Sequence, residues 1–242
     1  MGVCPPFTAM QVAAYPSAMA CKLPRIAAPL LLVAFAAGCP GKNSGPPQHY
    51  DDPRAMIEVF EDPERDAWQQ PDRVVDALPA PSKGATVADI GAGSGYFTRR
   101  LALLVPEGRV YAVDVDGEFE DYLLEQREEW GTPNIEPHLA HYDDPMLPQA
   151  GLDLVFSANT YAYIRSRVPY FTRVRSALKT DGRLVLLDFR PDATPPEGIA
   201  PAPQHRISVE AAKRELAEAG FVVESEETFL PHQWFLVLRP SD

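Results

Sequence analysis

The sequence predicts an α/β protein built on a mostly parallel sheet with helices on both faces. Three observations predict it. Strand and helix patterns alternate from residue 86 to residue 220. A glycine-rich loop, "DIGAGSG", joins the first strand to the first helix of that series. The last two apolar runs, "FVVESEETFL" and "WFLVLRP", are parted only by residues 231–233. Strands joined that tightly must be antiparallel, since a parallel pair needs a crossover of about a dozen residues or more.

Taken in order, residues 86–91 form a short apolar strand, and residues 95–105 a helix with Phe97, Leu101 and Leu104 on one face. "RVYAVDVD" (109–116) is a second strand, followed by a charged helix over 117–130. "NIEPHLA" (134–140) and "LDLVFSA" (152–158) are the third and fourth strands. A helix over 166–179 is expected to stop at Asp181-Gly182. "RLVLLDF" (183–189) is an almost unbroken apolar run, as a strand covered on both faces should be. Five prolines over 191–203 impose a loop, and a helix then runs from an N-cap at Ser208 to Gly220.

The chain has 242 residues, 45% of them apolar and 23% charged, enough for one large domain with a proper core. Its net charge of −12 gives a surface that repels phosphate backbones, which excludes nucleic acid as an expected partner. Cys4, Cys21 and Cys39 all precede the folded part, so no disulfide framework and no thiolate zinc site is expected there. His138 and His141 fall on opposite faces of a strand, and no metal is expected from them.

Residues 1–38 read as a signal peptide. Lys22 and Arg25 precede an apolar run from Ile26 to Ala37, too short to span a bilayer but suited to a signal core. Small residues at 36–38 before Cys39 resemble a bacterial lipoprotein cleavage box, which implies a lipidated Cys39 and an anchor in the cell envelope. Met19 then suits the start better than Met1. The alternative is a spurious leader on a cytoplasmic protein. Residues 39–54 are expected to be a flexible linker, and 55–242 the folded domain.

The glycine loop has the spacing Asp89-x-Gly91-x-Gly93-x-Gly95. A dinucleotide fingerprint places its third glycine one residue later and needs no acid before the loop. Asp89 would meet a pyrophosphate with like charge. At ~5 Å and an effective dielectric near 20, that costs ~3 kcal/mol, and an ammonium group would gain as much. Asp114, ending the second strand, can accept hydrogen bonds from both hydroxyls of a ribose. Adenosine carrying an amino-acid tail satisfies both carboxylates, and S-adenosyl-L-methionine is such a molecule.

"VADIGAGSGYFTRRLA", "VYAVDVD", "LDLVFSANTYAYI" and "ALKTDGRLVLLDF" resemble the class I S-adenosylmethionine-dependent methyltransferases over about residues 55–240. The segment "FEDPERDAWQQPDRVV" resembles the lead-in of a bacterial subgroup of predicted methyltransferases. The resemblance implies a Rossmann-like seven-stranded sheet with a reversed last strand. It also implies a cofactor site of Asp89, Gly91, Gly93, Gly95 and Asp114, with Asp143 standing where the family often holds the adenine amino group. At the end of the fourth strand "NTYAYI" lacks the histidine or acid pair that the subgroup often shows. That leaves Asn159 for the substrate and Tyr161 for the reaction.

His232, in the turn after the sixth strand, opens on the carboxyl edge of the sheet and is the candidate general base. His205 and Arg206 close the proline-rich loop on the same edge and are candidates for an anionic substrate. The expected function is methyl transfer from S-adenosyl-L-methionine to a small-molecule acceptor. A catalytically idle adenosine or amino-acid binding module on the envelope remains open, and an NAD(P) oxidoreductase is disfavoured by the loop spacing and Asp89.

Overall fold

A computed structural model describes residues 50–241. The expected signal peptide and the lipidated Cys39 lie outside the described residues. Seven strands form one sheet in the order β3-β2-β1-β4-β5-β7-β6. They span Thr86–Ile90 (β1), Arg109–Asp114 (β2), Ile135–Leu139 (β3), Leu152–Ala158 (β4), Leu178–Phe189 (β5), Phe221–Glu227 (β6) and Gln233–Pro240 (β7). β7 runs antiparallel to both its neighbours, β5 and β6, while β1 to β5 pair in parallel. The reversed last strand of the short C-terminal hairpin is thus inserted between β5 and β6.

The period-two alternation of each central strand feeds two cores. On one face Leu184 and Leu186 pack with Phe171 and Val174 of α6 (Arg167–Ala177) and Leu216 of α7 (Val209–Glu218). On the other, Val185 and Leu187 pack with Leu101 of α4 (Thr98–Leu104) and Leu123 of α5 (Gly117–Glu129). Burial on both sides is why β5 reads as a continuous apolar run. β6 is an edge strand and carries alternating acids, with Glu226 paired to Lys213 and Glu224 to Arg183, which blunts edge-to-edge association. The Ser208 hydroxyl accepts from Ala211 N at 3.3 Å and caps α7 as expected.

Three boundaries differ from the sequence reading. α6 ends at Ala177 and passes directly into β5, so Asp181-Gly182 is no helix stop but sits inside β5, where the pairing with β4 shifts register between Leu152 and Leu154. α4 begins at Thr98, because residues 91–97 are spent on the turn of the glycine loop. The linker expected over 39–54 ends sooner. α1 (Pro53–Phe60) starts inside it, capped by the Asp52 carboxylate, which accepts from Ala55 N at 3.0 Å. The short helices α2 (Arg65–Gln69) and α3 (Pro71–Asp76) follow and lead to β1.

Strand order reverses between β1 and β4, because the chain runs outward to β2 and β3 before returning to β4. A crevice forms at the carboxyl ends of the strands at such a switch point.

Candidate functional site

The glycine loop follows β1 at that crevice. Gly91, Gly93 and Gly95 all have positive φ, +76°, +51° and +84°. A Cβ on Gly91 would stand 2.0 Å from Thr160 Oγ1, and one on Gly95 would stand 2.6 Å from Leu123 Cδ2. The loop therefore excludes side chains at both positions and leaves its backbone bare beside the cavity that Gly91 and Gly93 line.

Asp89 lines the same cavity and is 3% exposed. Its Oδ2 accepts from the Thr98 hydroxyl at 2.6 Å. Burial pushes its carboxyl up to about 7, against the Thr98 hydrogen bond; the Asp114 charge adds to the rise and the Arg65 charge opposes it. Asp114 lies across the loop on the cavity wall. Its Oδ2 accepts from Gly93 N at 2.9 Å, and its Oδ1 from Val115 N at 2.8 Å and Asp116 N at 3.2 Å. Burial raises its pKa too, against these amide bonds. With about four lone-pair positions, this carboxylate keeps room for a ligand hydroxyl. The structure thus brings Asp89, Asp114 and the glycines together as expected.

Asn159 also reaches the wall, with φ +61°. Its side chain belongs to a closed ring of three amides. Gln69 Nε2 donates to Gln233 Oε1 at 2.9 Å, Gln233 Nε2 donates to Asn159 Oδ1, and Asn159 Nδ2 donates to Gln69 Oε1 at 3.1 Å. Gln69 and Gln233 are fully buried. A satisfied buried network of this kind fixes orientation, because any rotation leaves an amide unpaired.

Other expected site residues fall elsewhere. Tyr161 is not on the wall but 1% exposed in the core, stacked on Phe171 with ring centres 5.2 Å apart. Its hydroxyl donates to Glu215 Oε2 at 2.7 Å, and Glu215 is held in turn by a two-point pair with Arg167. The turn at residues 161–163 is fixed inward by the buried Asp188, which accepts from Ala162 N at 2.9 Å. A catalytic role for Tyr161 is therefore set aside. His232 is off the wall as well. Its ring stands 6.3 Å from that of Trp68, and partial burial with the charges of Arg190 and Arg206 lowers its pKa. Arg206 is a loop staple rather than a substrate anchor, donating to Pro201 O at 2.7 Å and Ala193 O at 2.8 Å. His205 lies in a single turn beside it, and the loop contributes Ile199 to the wall instead. Asp143 is exposed and outside the cavity. The backbone bridge between His141 and Asp144 turns the loop so that His141 and Tyr142 face the wall.

The sequence reading missed the lead-in as a wall of the site. Tyr50, Phe60, Arg65 and Trp68 all line the cavity. Tyr50 packs edge-on against Phe60 and Phe119 at 5.7 and 6.3 Å and shares a hydrogen bond with Tyr163. Glu61 clamps the lead-in to the glycine loop, accepting from Ser94 Oγ and from Arg99 Nη1, each at 2.6 Å. The available signal was the density of aromatic and charged residues in "FEDPERDAW", just ahead of the first strand.

A solved structure described as a SAM dependent methyltransferase from Aquifex aeolicus superposes with a TM-score of 0.71. It covers 78% of this chain and 98% of that one, at 23% identity. The chain has a methyltransferase fold. A family profile for a methyltransferase domain matches residues 87–182, from β1 into β5. A tRNA U34 carboxymethyltransferase from Pseudoalteromonas translucida is 32% identical over 107 residues, 44% of this chain and 32% of that protein. A trans-aconitate 2-methyltransferase from Afipia carboxidovorans is 29% identical over 101 residues, 41% of this chain and 37% of that protein. The chain thus spans about a third of the length of these relatives. The cofactor to which a methyltransferase fold points is S-adenosyl-L-methionine, and the acids, glycines and cavity form a cradle that fits it.

Proposed function

We propose that the chain binds S-adenosyl-L-methionine at the β1–β4 crevice and transfers its methyl group to a small-molecule acceptor. One observation carries this reading: a buried carboxylate, Asp89, and a half-buried one, Asp114, flank the glycine loop on one cavity wall. Acids in that position favour a cationic, ribose-bearing ligand and oppose a pyrophosphate. When bound, the cofactor supplies a methyl group on a positively charged sulfur, already a good leaving group.

The protein's contribution is alignment and exclusion of water. Asp114 positions a ribose, the glycine loop admits the ligand backbone to backbone, and the aromatic lead-in closes the cavity over it. Asn159, held by its amide ring, presents a fixed polar group at the end of β4. With Tyr161 and His232 off the wall, the acceptor is one that needs no strong base, or one that brings its own. The net charge of −12 favours a small acceptor over a phosphate backbone. Cys39 lipidation, placing the enzyme at the cell envelope, belongs to the same proposal and is supported by the apolar run before it.

Isothermal titration of the full chain with S-adenosylhomocysteine and with NAD tests the ligand class. Micromolar binding of the former and none of the latter is expected. Asp114→Ala should weaken it about a hundredfold, the loss of one or two hydrogen bonds to a charged group. NAD binding of equal strength overturns the proposal. Binding without turnover on an acceptor panel identifies an idle module. Labelling with radioactive palmitate, abolished in Cys39→Ala, tests the anchor.

A further inference from the structure

The ring of Asn159, Gln69 and Gln233 has a remainder at the cavity wall. A carboxamide carries two N–H donors and two oxygen lone pairs. Each member of the ring spends one donor and one acceptor on its neighbours. Gln69 and Gln233 keep the rest in the core, whereas Asn159 is half-buried and lines the cavity. Its side chain has no further partner among the described residues, which leaves it one N–H and one lone pair. Running the ring in the opposite sense leaves the same pair. Asn159 therefore presents one donor and one acceptor, side by side, on a group that the ring keeps from turning.

The surroundings restrict what can meet that pair. Trp68 precedes Gln69 in the chain and Tyr163 lies four residues beyond Asn159, and both line the same cavity with Ile199 of the proline-rich loop. These flat and apolar faces suit a planar group. The left-handed backbone of residue 159, φ +61°, favours asparagine or aspartate over other side chains, so the position is specified by backbone and ring together. A carboxylate or phosphate offers acceptors alone and sets one of them against Oδ1. An amidinium offers donors alone and sets one of them against Nδ2. Granting the cofactor reading above, we propose that Asn159 recognises the methyl acceptor by two hydrogen bonds. The acceptor is then a neutral planar molecule with a donor and an acceptor on one edge, as in a primary carboxamide or a lactam. A site that builds in both partners rejects a ligand supplying only one by about tenfold or more. Gln69 and Gln233 are positioning residues, which hold Asn159 without touching the ligand.

Benzamide, benzoate and benzamidinium share one shape and differ only in this edge, which is donor with acceptor, acceptors alone and donors alone. Their binding is followed by ligand-observed NMR on the full chain saturated with S-adenosylhomocysteine. The saturating ligand covers Asp89 and Asp114 on the cofactor reading, and its binding shows that each variant is folded. Benzamide is expected to bind at least about tenfold tighter than either ion. Asn159→Asp replaces the donor by a second acceptor and should move the preference to benzamidinium. Asn159→Gly tolerates the same backbone conformation and should bring all three probes within about twofold. The inference is overturned if the wild type ranks the three alike, prefers either ion or binds none of them. It is equally overturned if the benzamide preference survives in either variant. These outcomes leave the cofactor reading standing, because S-adenosylhomocysteine is bound throughout. Loss of S-adenosylhomocysteine from both variants makes Asn159 part of the cofactor site and overturns the inference as well; wild-type protein that fails to bind it sinks the cofactor reading itself and this inference with it.

Discussion

On the proposed cofactor reading, ligand affinity should rise steeply with pH through neutrality, because Asp89, the carboxyl proposed to face the ligand's ammonium group, is a weak acid here. Burial pushes Asp89 up to about 7. About nine-tenths of it is ionised at pH 8, half at pH 7 and one-tenth at pH 6. If only the carboxylate binds, the apparent Kd for S-adenosylhomocysteine is about tenfold weaker at pH 6 than at pH 8, equal to ~1.4 kcal/mol. Binding at pH 6 should also release close to one proton, visible as a buffer-dependent titration enthalpy. Asp89→Asn should lower affinity at pH 8 and flatten the profile. The folding contribution has the opposite sign. A carboxyl near 3.8 when unfolded and about 7 when folded binds more protons in the folded state, so its contribution to stability falls as pH rises from about 4 through 7. Ligand-induced stabilisation should therefore grow with pH while the free protein loses stability. An affinity unchanged between pH 6 and pH 8 would refute the reasoning.

Three further outcomes follow from contacts at the wall and behind it. Gly91→Ala should cost at least ~3 kcal/mol, since φ is +76° and the added carbon would meet Thr160 Oγ1 at 2.0 Å; a wild-type urea midpoint would contradict this. Tyr161→Phe should cost ~1 kcal/mol of stability, one hydrogen bond to Glu215, and leave S-adenosylhomocysteine affinity unchanged; an affinity loss beyond twofold returns Tyr161 to the site. Gln69→Leu breaks the amide ring and strands a buried acceptor on Gln233 and a half-buried donor on Asn159, an expected loss of ~2 kcal/mol by chemical denaturation.

The sheet was legible because its signals are local. Apolar runs mark the central strands, and the tight hairpin fixed the direction of β7. The acid–glycine motif was legible for the same reason, since Asp89 to Gly95 form one turn of backbone. The lead-in was not. Its three helices have five to eight residues each, too short for a hydrophobic period, and the first of them begins at Pro53, inside the stretch that reads as linker. Asn159 depends on Gln69 and Gln233, 90 and 74 residues away, and nothing local announces such a ring. Tyr161 and His232 were placed at the correct edge of the sheet. Strand position gives the edge but not the way a side chain turns, and Asp188 and Glu215 turn Tyr161 inward.

The contact between Gln69 and Gln233 joins positions 164 residues apart. During synthesis the amide ring behind Asn159 cannot close until residue 233 has left the ribosome, because the strand carrying Gln233 must slot between two others already made. A product cut short before residue 233 should consequently leave Asn159 without its fixed orientation at the cavity wall, however well the strands made before it have folded.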